Sequence, residues 1–221
     1  MQLESPRPSN GSAARQRNAR GQGDRLRQEI IDAARDILAE TGNLDRLTLR
    51  GVARRVGIAA TSVYLHFPDA EHLAVVALEQ TFAELSATTA AASAEIADPA
   101  EALLARCRAY CQFGLDHPGH YRVMFSIALM PTLAAGDPED TPGQRAFRRL
   151  LGAVEACLAA GAGRPHRDPR RLASLVWAAE HGLVSARLAR PQFHWGNLDG
   201  MVTEAVSGLM GFDYEDAGTA T

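Results

Sequence analysis

Four prolines between residues 98 and 170 each follow a residue that can cap a helix, and these pairs constrain the fold more than any other feature. Proline is common at the first position of a helix, where its missing N–H is not needed. A polar side chain just before it can accept a hydrogen bond from the first turn. The pairs predict four helix starts, at Asp98-Pro99, His117-Pro118, Thr141-Pro142 and Asp168-Pro169.

No other pattern in the sequence competes with these helices. No run of alternating β-branched residues and no hairpin turn signal is present. Hydrophobic residues make up 46% of the 221, which is enough for a packed core. We therefore expect an all-α chain of eight to ten helices, with surface connections near residues 131–141 and 161–168.

Several classes of protein are disfavoured by what the sequence lacks. No apolar run approaches the roughly 18 residues of a membrane span, and the first residues show no signal-peptide pattern. Three cysteines do not suggest a disulfide framework. Since no phosphate-binding loop, triad order, paired carboxylates or metal-ligand set is visible, we expect neither an enzyme nor a cofactor. A soluble cytoplasmic protein is the expectation.

Charge is divided unevenly along the chain. Residues 1–67 carry 11 arginines against 7 acidic residues, whereas residues 68–221 carry 12 against 19. A basic front suits a nucleic-acid surface, although ordinary charge scatter also produces such an asymmetry. Residues 1–23 predict a disordered basic arm, which is either a solvated tail or a segment that lies along DNA and reaches a minor groove.

Residues 24–69 predict a three-helix DNA-binding domain. Apolar spacing and capping residues place helices over about 24–41, 49–56 and 60–66. Gly57 supplies a positive φ for the tight turn between the last two helices, which fits a helix-turn-helix. In that motif the N-terminal end of the second helix enters a major groove of DNA.

The exposed side of the helix over residues 60–66 carries the candidate base contacts. Thr61 and Ser62 can hydrogen-bond to base edges or phosphate, and Ala60 and Leu65 can meet thymine methyl groups. Helix-turn-helix spacing alone is a weak signal, because ordinary helical corners share it.

The segment LTLRGVARRVGIAATSVYLHFPDAEHL, residues 47–73, resembles the DNA-binding signature of the TetR (tetracycline-repressor) family of transcriptional regulators. The resemblance implies phosphate contacts by Thr48, Tyr64 and His66 and a phosphate or base contact by Arg50. It also places Thr61 and Ser62 at base-reading positions. Spacing alone leaves Tyr64 equally open to a core role and His66 to a favourable position at the C-terminal end of its helix.

Three positions depart from the family pattern. Ala59 stands where the family often has a Ser or Thr cap, Leu65 where it often has a basic residue, and Ala70 where it often has Lys. Two positive charges are therefore missing from the usual phosphate contacts. The arginines of the arm could compensate, namely Arg7, Arg15, Arg17 and Arg20.

Residues 70–211 predict a helical bundle, which in this family binds a small molecule and forms a dimer. Residues 115–125 and 176–184 resemble a subgroup whose C-terminal domain is named for a Trp and a His-Gly pair. Trp177 and His181 share one helix face, which is either ordinary packing or a cavity wall. Met, Cys and aromatic side chains suit an apolar pocket. The candidate pocket residues are Cys107, Tyr110, Cys111, Met124, Phe125, Trp177 and His181.

The last two helices are apolar enough to pair with the same helices of a second subunit. By resemblance this is also the family's dimer mode. We expect residues 212–221 to form a disordered tail. The candidate interface residues are Leu172, Leu175, Val176, Leu183, Val184, Met201, Val202, Val206 and Leu209.

Two functions remain open for such a chain. One is a repressor that binds pseudo-palindromic double-stranded DNA as a homodimer and is released by a largely apolar small-molecule effector. The other is a DNA-binding regulator without a small ligand, controlled by a protein partner or acting as an activator. A cavity of several hundred Å³ in the bundle would favour the first function.

Overall fold

The computed structural model describes residues 22–126, 140–164 and 167–212. Within these ranges the chain forms α-helices, one short 3-10 turn at Leu44–Arg46 and no strand, which confirms the all-α prediction. No helix there combines the length and hydropathy that a membrane crossing needs. The helices are α1 Gln22–Thr41, α2 Leu49–Val56, α3 Ala60–Tyr64, α4 Ala70–Ser93, α5 Pro99–Asp116, α6 Pro118–Met124, α7 Pro142–Ala159, α8 Pro169–Ala189 and α9 Leu198–Met210.

All four predicted proline starts are helix starts, and three of them are capped as expected. Asp98, Thr141 and Asp168 each accept a hydrogen bond from a backbone N–H in the first turn of α5, α7 and α8. His117 is the exception, because its side chain makes no capping hydrogen bond. Its ring packs instead against Phe113, with ring centroids 4.6 Å apart.

Two helices end earlier than the sequence predicts. The N–H groups of His66 and Phe67 both bond to the Val63 carbonyl, so the chain tightens into a turn and α3 ends at Tyr64 instead of His66. Residues 70–97 have the sequence pattern of one long helix that weakens toward an alanine-rich end, but α4 stops at Ser93, four residues before Ala97. The Ser93 hydroxyl bonds to backbone carbonyls of the preceding turn, an arrangement that competes with helix continuation.

Parts of four predictions lie outside the described residues. These are most of the N-terminal arm, residues 131–139 of one connection, residues 165–166 of the other and the tail after residue 212. Gln22 and Gly23, which the prediction assigned to the arm, are the first residues of α1.

A continuous hydrophobic core runs from the first three helices into the helical body. Ile30, Val52 and Val63 are fully buried where α1, α2 and α3 meet. α4 then connects this small domain to the rest, with buried side chains from Leu73 to Thr89. α5 lies at the centre of the body and packs against α4, α8 and α9. The predicted domain boundary at residue 69 coincides with the N-cap of α4.

The structure corrects part of the predicted dimer interface. Five of the nine side chains are at most 1% exposed, because the faces that carry them pack into the core of the same protomer. They therefore cannot also contact a partner. Apolar residues occur on the inner as well as the outer faces of α8 and α9, so the sequence pattern alone does not separate core residues from interface residues. The five are Leu172, Val176, Val184, Val202 and Val206.

Candidate nucleic-acid interface and ligand cavity

The short helix α3 is held by its inner side and by the turn before it. Gly57 adopts a left-handed conformation, with φ of 81°, and its N–H bonds to the Ala53 carbonyl at 2.9 Å. Val63 and Phe67 are buried, and the guanidinium of Arg27 lies over the Phe67 ring at 5.0 Å. The opposite side of α3 is therefore presented outward in a defined orientation.

The predicted base-contact residues lie on this outward side to different degrees. Thr61 is exposed, and Ala60 and Ser62 are half-buried. Leu65 is 85% exposed, which is unusual for a side chain of its size. Ala59, at the N-cap, makes no side-chain capping hydrogen bond, as its methyl group dictates.

The predicted phosphate contacts meet in one shallow surface hollow between the starts of α2 and α4 and the end of α3. Thr48, Arg50 and Tyr64 line it together with Asp69. The Thr48 hydroxyl oxygen accepts a hydrogen bond from the first turn of α2 at 3.0 Å, which leaves its own O–H free to donate. Tyr64 is 52% exposed. A backbone hydrogen bond from His72 lowers the pKa of Asp69, which keeps this carboxylate negatively charged in the hollow that Arg50 also lines.

His66 lies just beyond α3 and is half-buried. Its N–H bonds to the Val63 carbonyl at 2.9 Å. The hydrogen bonds of the described residues leave both of its ring nitrogens without a partner. The imidazole is therefore available to an external acceptor or donor.

Helices α4 to α8 enclose a cavity of about 770 Å³. Its walls are mostly apolar and aromatic, with Phe82 and Leu85 from α4, Phe125 after α6 and Phe147 from α7. This size and character suit a drug-sized apolar or amphipathic molecule.

Five of the seven predicted pocket residues line this cavity, namely Tyr110, Met124, Phe125, Trp177 and His181. Cys107 and Cys111 do not. They are fully buried in the core, and the prediction is wrong for both. Each lies one position further along α5 than a cavity-facing residue, which turns its side chain by about 100°.

Sequence reasoning missed the charged residues of the cavity. Arg106 on α5 and Arg170 and Glu180 on α8 all line it. Helical spacing could have identified Arg106, because it lies one turn before Tyr110 and therefore on the same face of α5. Glu180 lies next to the predicted His181, yet a carboxyl group in an apolar helix was passed over.

A chain of hydrogen bonds crosses one wall of the cavity. The hydroxyls of Tyr110 and Tyr121 are 3.1 Å apart, and the Tyr121 hydroxyl is 2.8 Å from Nδ1 of His181. Nε2 of His181 is 3.3 Å from the Ser185 hydroxyl. Burial lowers the pKa of His181, so the neutral ring can accept at one nitrogen and donate at the other. The Trp177 ring stacks on His181 at 5.5 Å, which completes the wall.

Comparison with known proteins matches both halves of this arrangement. Residues 30–76 match the model of the bacterial regulatory proteins of the tetR family, and residues 103–209 match a tetracyclin repressor-like C-terminal domain.

The chain belongs to the TetR family.

Solved structures share the TetR fold over nearly their whole length. A protein with unknown function from Rhodococcus sp. RHA1 has 24% identity and a TM-score of 0.70, covering 85% of this chain and 95% of that one. The fatty acid degradation regulator FadR from Bacillus halodurans has 16% identity and a TM-score of 0.70, with 87% and 97% covered. FadR from Bacillus subtilis, in complex with stearoyl-CoA, has 15% identity and a TM-score of 0.67, with 83% and 97% covered.

Membership confirms the resemblance seen in residues 47–73 and assigns the chain to transcriptional regulators with a helix-turn-helix, which are not enzymes. The N-terminal match includes α2, α3 and the hollow beside them. The C-terminal match includes α5 to α9 as far as residue 209. The likeness of residues 115–125 and 176–184 to a Trp and His-Gly subgroup stays a prediction.

Proposed function

We propose that the protein is a homodimeric TetR-family repressor that leaves a pseudo-palindromic operator when a small molecule fills the cavity. The observation that carries the proposal is the cavity of about 770 Å³ beside α4, since α4 begins at the outward DNA-binding surface. A ligand that favours one orientation of α4 would change the spacing of the two recognition helices. DNA as the partner makes the cytoplasm the place of action.

The DNA contacts divide into two groups in this proposal. Thr48, Arg50, Tyr64 and His66 bind phosphate and fix the position of α3 on the duplex. The base-reading group lies on the outward side of α3 and consists of Ala60, Thr61, Ser62 and Leu65.

The dimer forms through the outer faces of α8 and α9. Four predicted interface residues have exposed or half-buried side chains there, namely Leu175, Leu183, Met201 and Leu209. Small residues lie between them, including the exposed Gly182 and Gly208, and let two helix pairs approach closely. Such a face makes the same contacts on both subunits of a two-fold dimer.

α6 gives the cavity a second connection to the DNA-binding domain. Its C-terminal end supplies Met124 to the cavity wall. Its N-terminal end lies against α1, where His120 Nε2 is 2.9 Å from the Arg35 carbonyl oxygen. A ligand that displaces α6 would therefore also displace α1.

The alternative of a regulator without a small ligand is less well supported, because such a protein would have a solidly packed body. The FadR of Bacillus subtilis is described in complex with stearoyl-CoA, which shows that a protein of this fold accepts a large, partly apolar ligand. The similarity is 15% identity, so it supports a ligand of apolar character here without naming it.

The test is to select bound DNA from random duplexes and then to screen small molecules for release of that DNA. We expect a pseudo-palindrome with half-sites about one helical turn apart. Failure to select any palindrome would contradict the regulator as proposed. A palindrome that no ligand releases would favour the alternative.

A further inference from the structure

The cavity contains charge as well as apolar wall, and the charge restricts what it can hold. Among the described residues, the ionisable side chains that line it are Arg106, Arg170, Glu180, His181 and Tyr110. Arg170 is exposed in the first turn of α8, with its guanidinium 5.6 Å from the Phe147 ring centre, so it lies at the rim. Arg106 lies deeper, on α5 at the centre of the body.

Arg106 has no hydrogen-bond acceptor or ion pair among the described residues, although its side chain is partly buried. Burial lowers its pKa, but a guanidinium stays protonated in proteins. A partly desolvated cation without a protein partner gains from an anionic ligand, and its five N–H donors suit a planar carboxylate. The neighbouring Arg149 adds positive potential at this place.

Glu180 is an acidic residue that lines the same cavity, but it does not neutralise the charge of Arg106. The two side chains form no ion pair within 4 Å in the described structure. Glu180 is 3% exposed, and burial raises its pKa to about 8. It is therefore mostly protonated at neutral pH, and the positive charge of Arg106 remains uncompensated.

The aromatic walls by themselves would also suit a lipophilic cation. Cation recognition needs ring faces and usually an ionised acid. Here two guanidinium groups line the space and the buried acid holds its proton, so a cation would meet repulsion. The geometry favours an anion over a cation.

We propose that the cavity binds an amphiphile with a carboxylate head, whose head group pairs with Arg106 and whose apolar body packs against Phe82, Phe125 and Phe147. This inference rests on the proposed ligand-binding function and deepens it. The carboxylate accepts the charge-assisted hydrogen bonds that the protein itself leaves unmade.

Two sources could supply such an acyl chain, a free carboxylic acid or its coenzyme A thioester. The thioester has no carboxylate at the acyl end, and its phosphates lie at the far end of a long arm. Because Arg106 is half-buried on the central helix α5, whereas Arg170 lies exposed at the rim, we commit to the free acid.

The experiment compares ligands of equal chain length and different head group on the purified full-length dimer. Dodecanoate, dodecanol, dodecyltrimethylammonium and dodecanoyl-CoA are titrated below their micelle concentrations by calorimetry, without DNA. We expect dodecanoate to bind about tenfold or more tightly than dodecanol, since a carboxylate accepts charge-assisted hydrogen bonds from a guanidinium and a hydroxyl does not. Tighter binding of the ammonium or of the thioester would overturn the proposal. No binding of saturated acids from octanoate to hexadecanoate would do the same.

Two variants assign the effect to the residue. Arg106→Gln should lose the preference for dodecanoate over dodecanol and keep the affinity for dodecanol. Arg54→Gln is the matched control, because Arg54 is exposed on α2 and outside the cavity lining, and it should keep the preference. An Arg106→Gln protein that still prefers the acid contradicts the assignment. If that variant does not fold, the head-group series on the natural protein decides alone.

Failure of this inference can be told apart from failure of the proposed function. Acid binding without release of the selected operator would leave the inference standing and contradict effector-controlled release. Release by a neutral or cationic compound, with no acid bound, would support the proposed function and overturn the inference.

Discussion

Glu180 illustrates how one buried side chain sets the pH response of this protein. Its carboxyl is surrounded by core and cavity wall, with the Cys107 thiol and Arg106 close by. Burial raises its pKa to about 8, against about 4.3 for an exposed Glu. A carboxyl group whose pKa is raised by folding makes its full contribution to stability at pH values below its pKa in the unfolded chain. That stability is lost as pH rises through about 4.3 to 8, because the unfolded chain then ionises while the folded one keeps its proton.

The first prediction is therefore that Glu180→Gln flattens the stability profile. Glutamine has nearly the same shape and no proton to lose. The variant should gain stability over the natural protein as pH increases from 5 to 8, by roughly 3–4 kcal/mol at 1.36 kcal/mol per pKa unit. Thermal unfolding across this range measures it. Glu155→Gln on the exposed side of α7 is the control. A pH-independent difference between Glu180→Gln and the natural protein would contradict the buried, protonated state.

Leu65 is exposed at a position where the resemblance of residues 47–73 to the TetR family implies a basic residue. Its 85% exposure means that a charged replacement costs the fold little. We predict that Leu65→Lys steepens the salt dependence of operator binding by about 0.9 per half-site, because the longer Lys side chain can reach a phosphate next to the base that Leu65 meets. Binding assays over a range of salt concentrations measure this. Ala91→Lys, at the far end of α4, adds the same charge away from DNA. Equal slopes in both variants would show that a side chain at position 65 does not reach a DNA phosphate.

At the scale of helices, the contact between α1 and α6 depends on a missing side chain. A Cβ atom at Gly119 would lie 1.8 Å from the Ala39 carbonyl oxygen and 2.5 Å from its carbon. Both are backbone atoms that cannot move without shifting α1. The two helices approach this closely because residue 119 is glycine.

We predict that Gly119→Ala destabilises the protein by about 1–3 kcal/mol, the usual cost of overpacking. Chemical denaturation measures it. Gly152→Ala on α7 is the matched control, because a Cβ there meets nothing within 4 Å, and it should be neutral or stabilising by up to about 1 kcal/mol. A neutral Gly119→Ala would mean that α1 and α6 separate freely. In that case the connection proposed between cavity and DNA-binding domain would fail.

The same scale shows what local sequence signals can and cannot predict. Helix starts were found to the residue at Asp98, Thr141 and Asp168, because a cap and a proline act within one turn. Cys107 and Cys111 were assigned to the cavity because their side-chain type suits one. Which side of α5 faces a void depends on the placement of α4, α7 and α8, and that placement is a tertiary property.

At the scale of the whole molecule, the same distinction explains the dimer prediction. Val176 and Leu175 are adjacent and equally apolar, yet the first is fully buried and the second is 40% exposed. The sequence shows that the helix pair is apolar. It does not show which face of the pair stays exposed, and so available to a partner, once the protomer has folded. Gly182 and Gly208 were overlooked, although both are exposed on these helices.

These two glycines allow a test of the dimer that leaves the protomer intact. A Cβ at either position meets nothing within 4 Å, so a longer side chain fits the single subunit. We predict that Gly182→Glu combined with Gly208→Glu gives a folded monomer, because four like charges would be buried at the two-fold interface. Operator affinity should fall sharply, since one recognition helix then binds alone. Light scattering after gel filtration and operator titration measure the two effects. Gly152→Glu adds charge at an equally open glycine of α7 and should remain dimeric. A double variant that is still dimeric would place the interface on another face of the molecule.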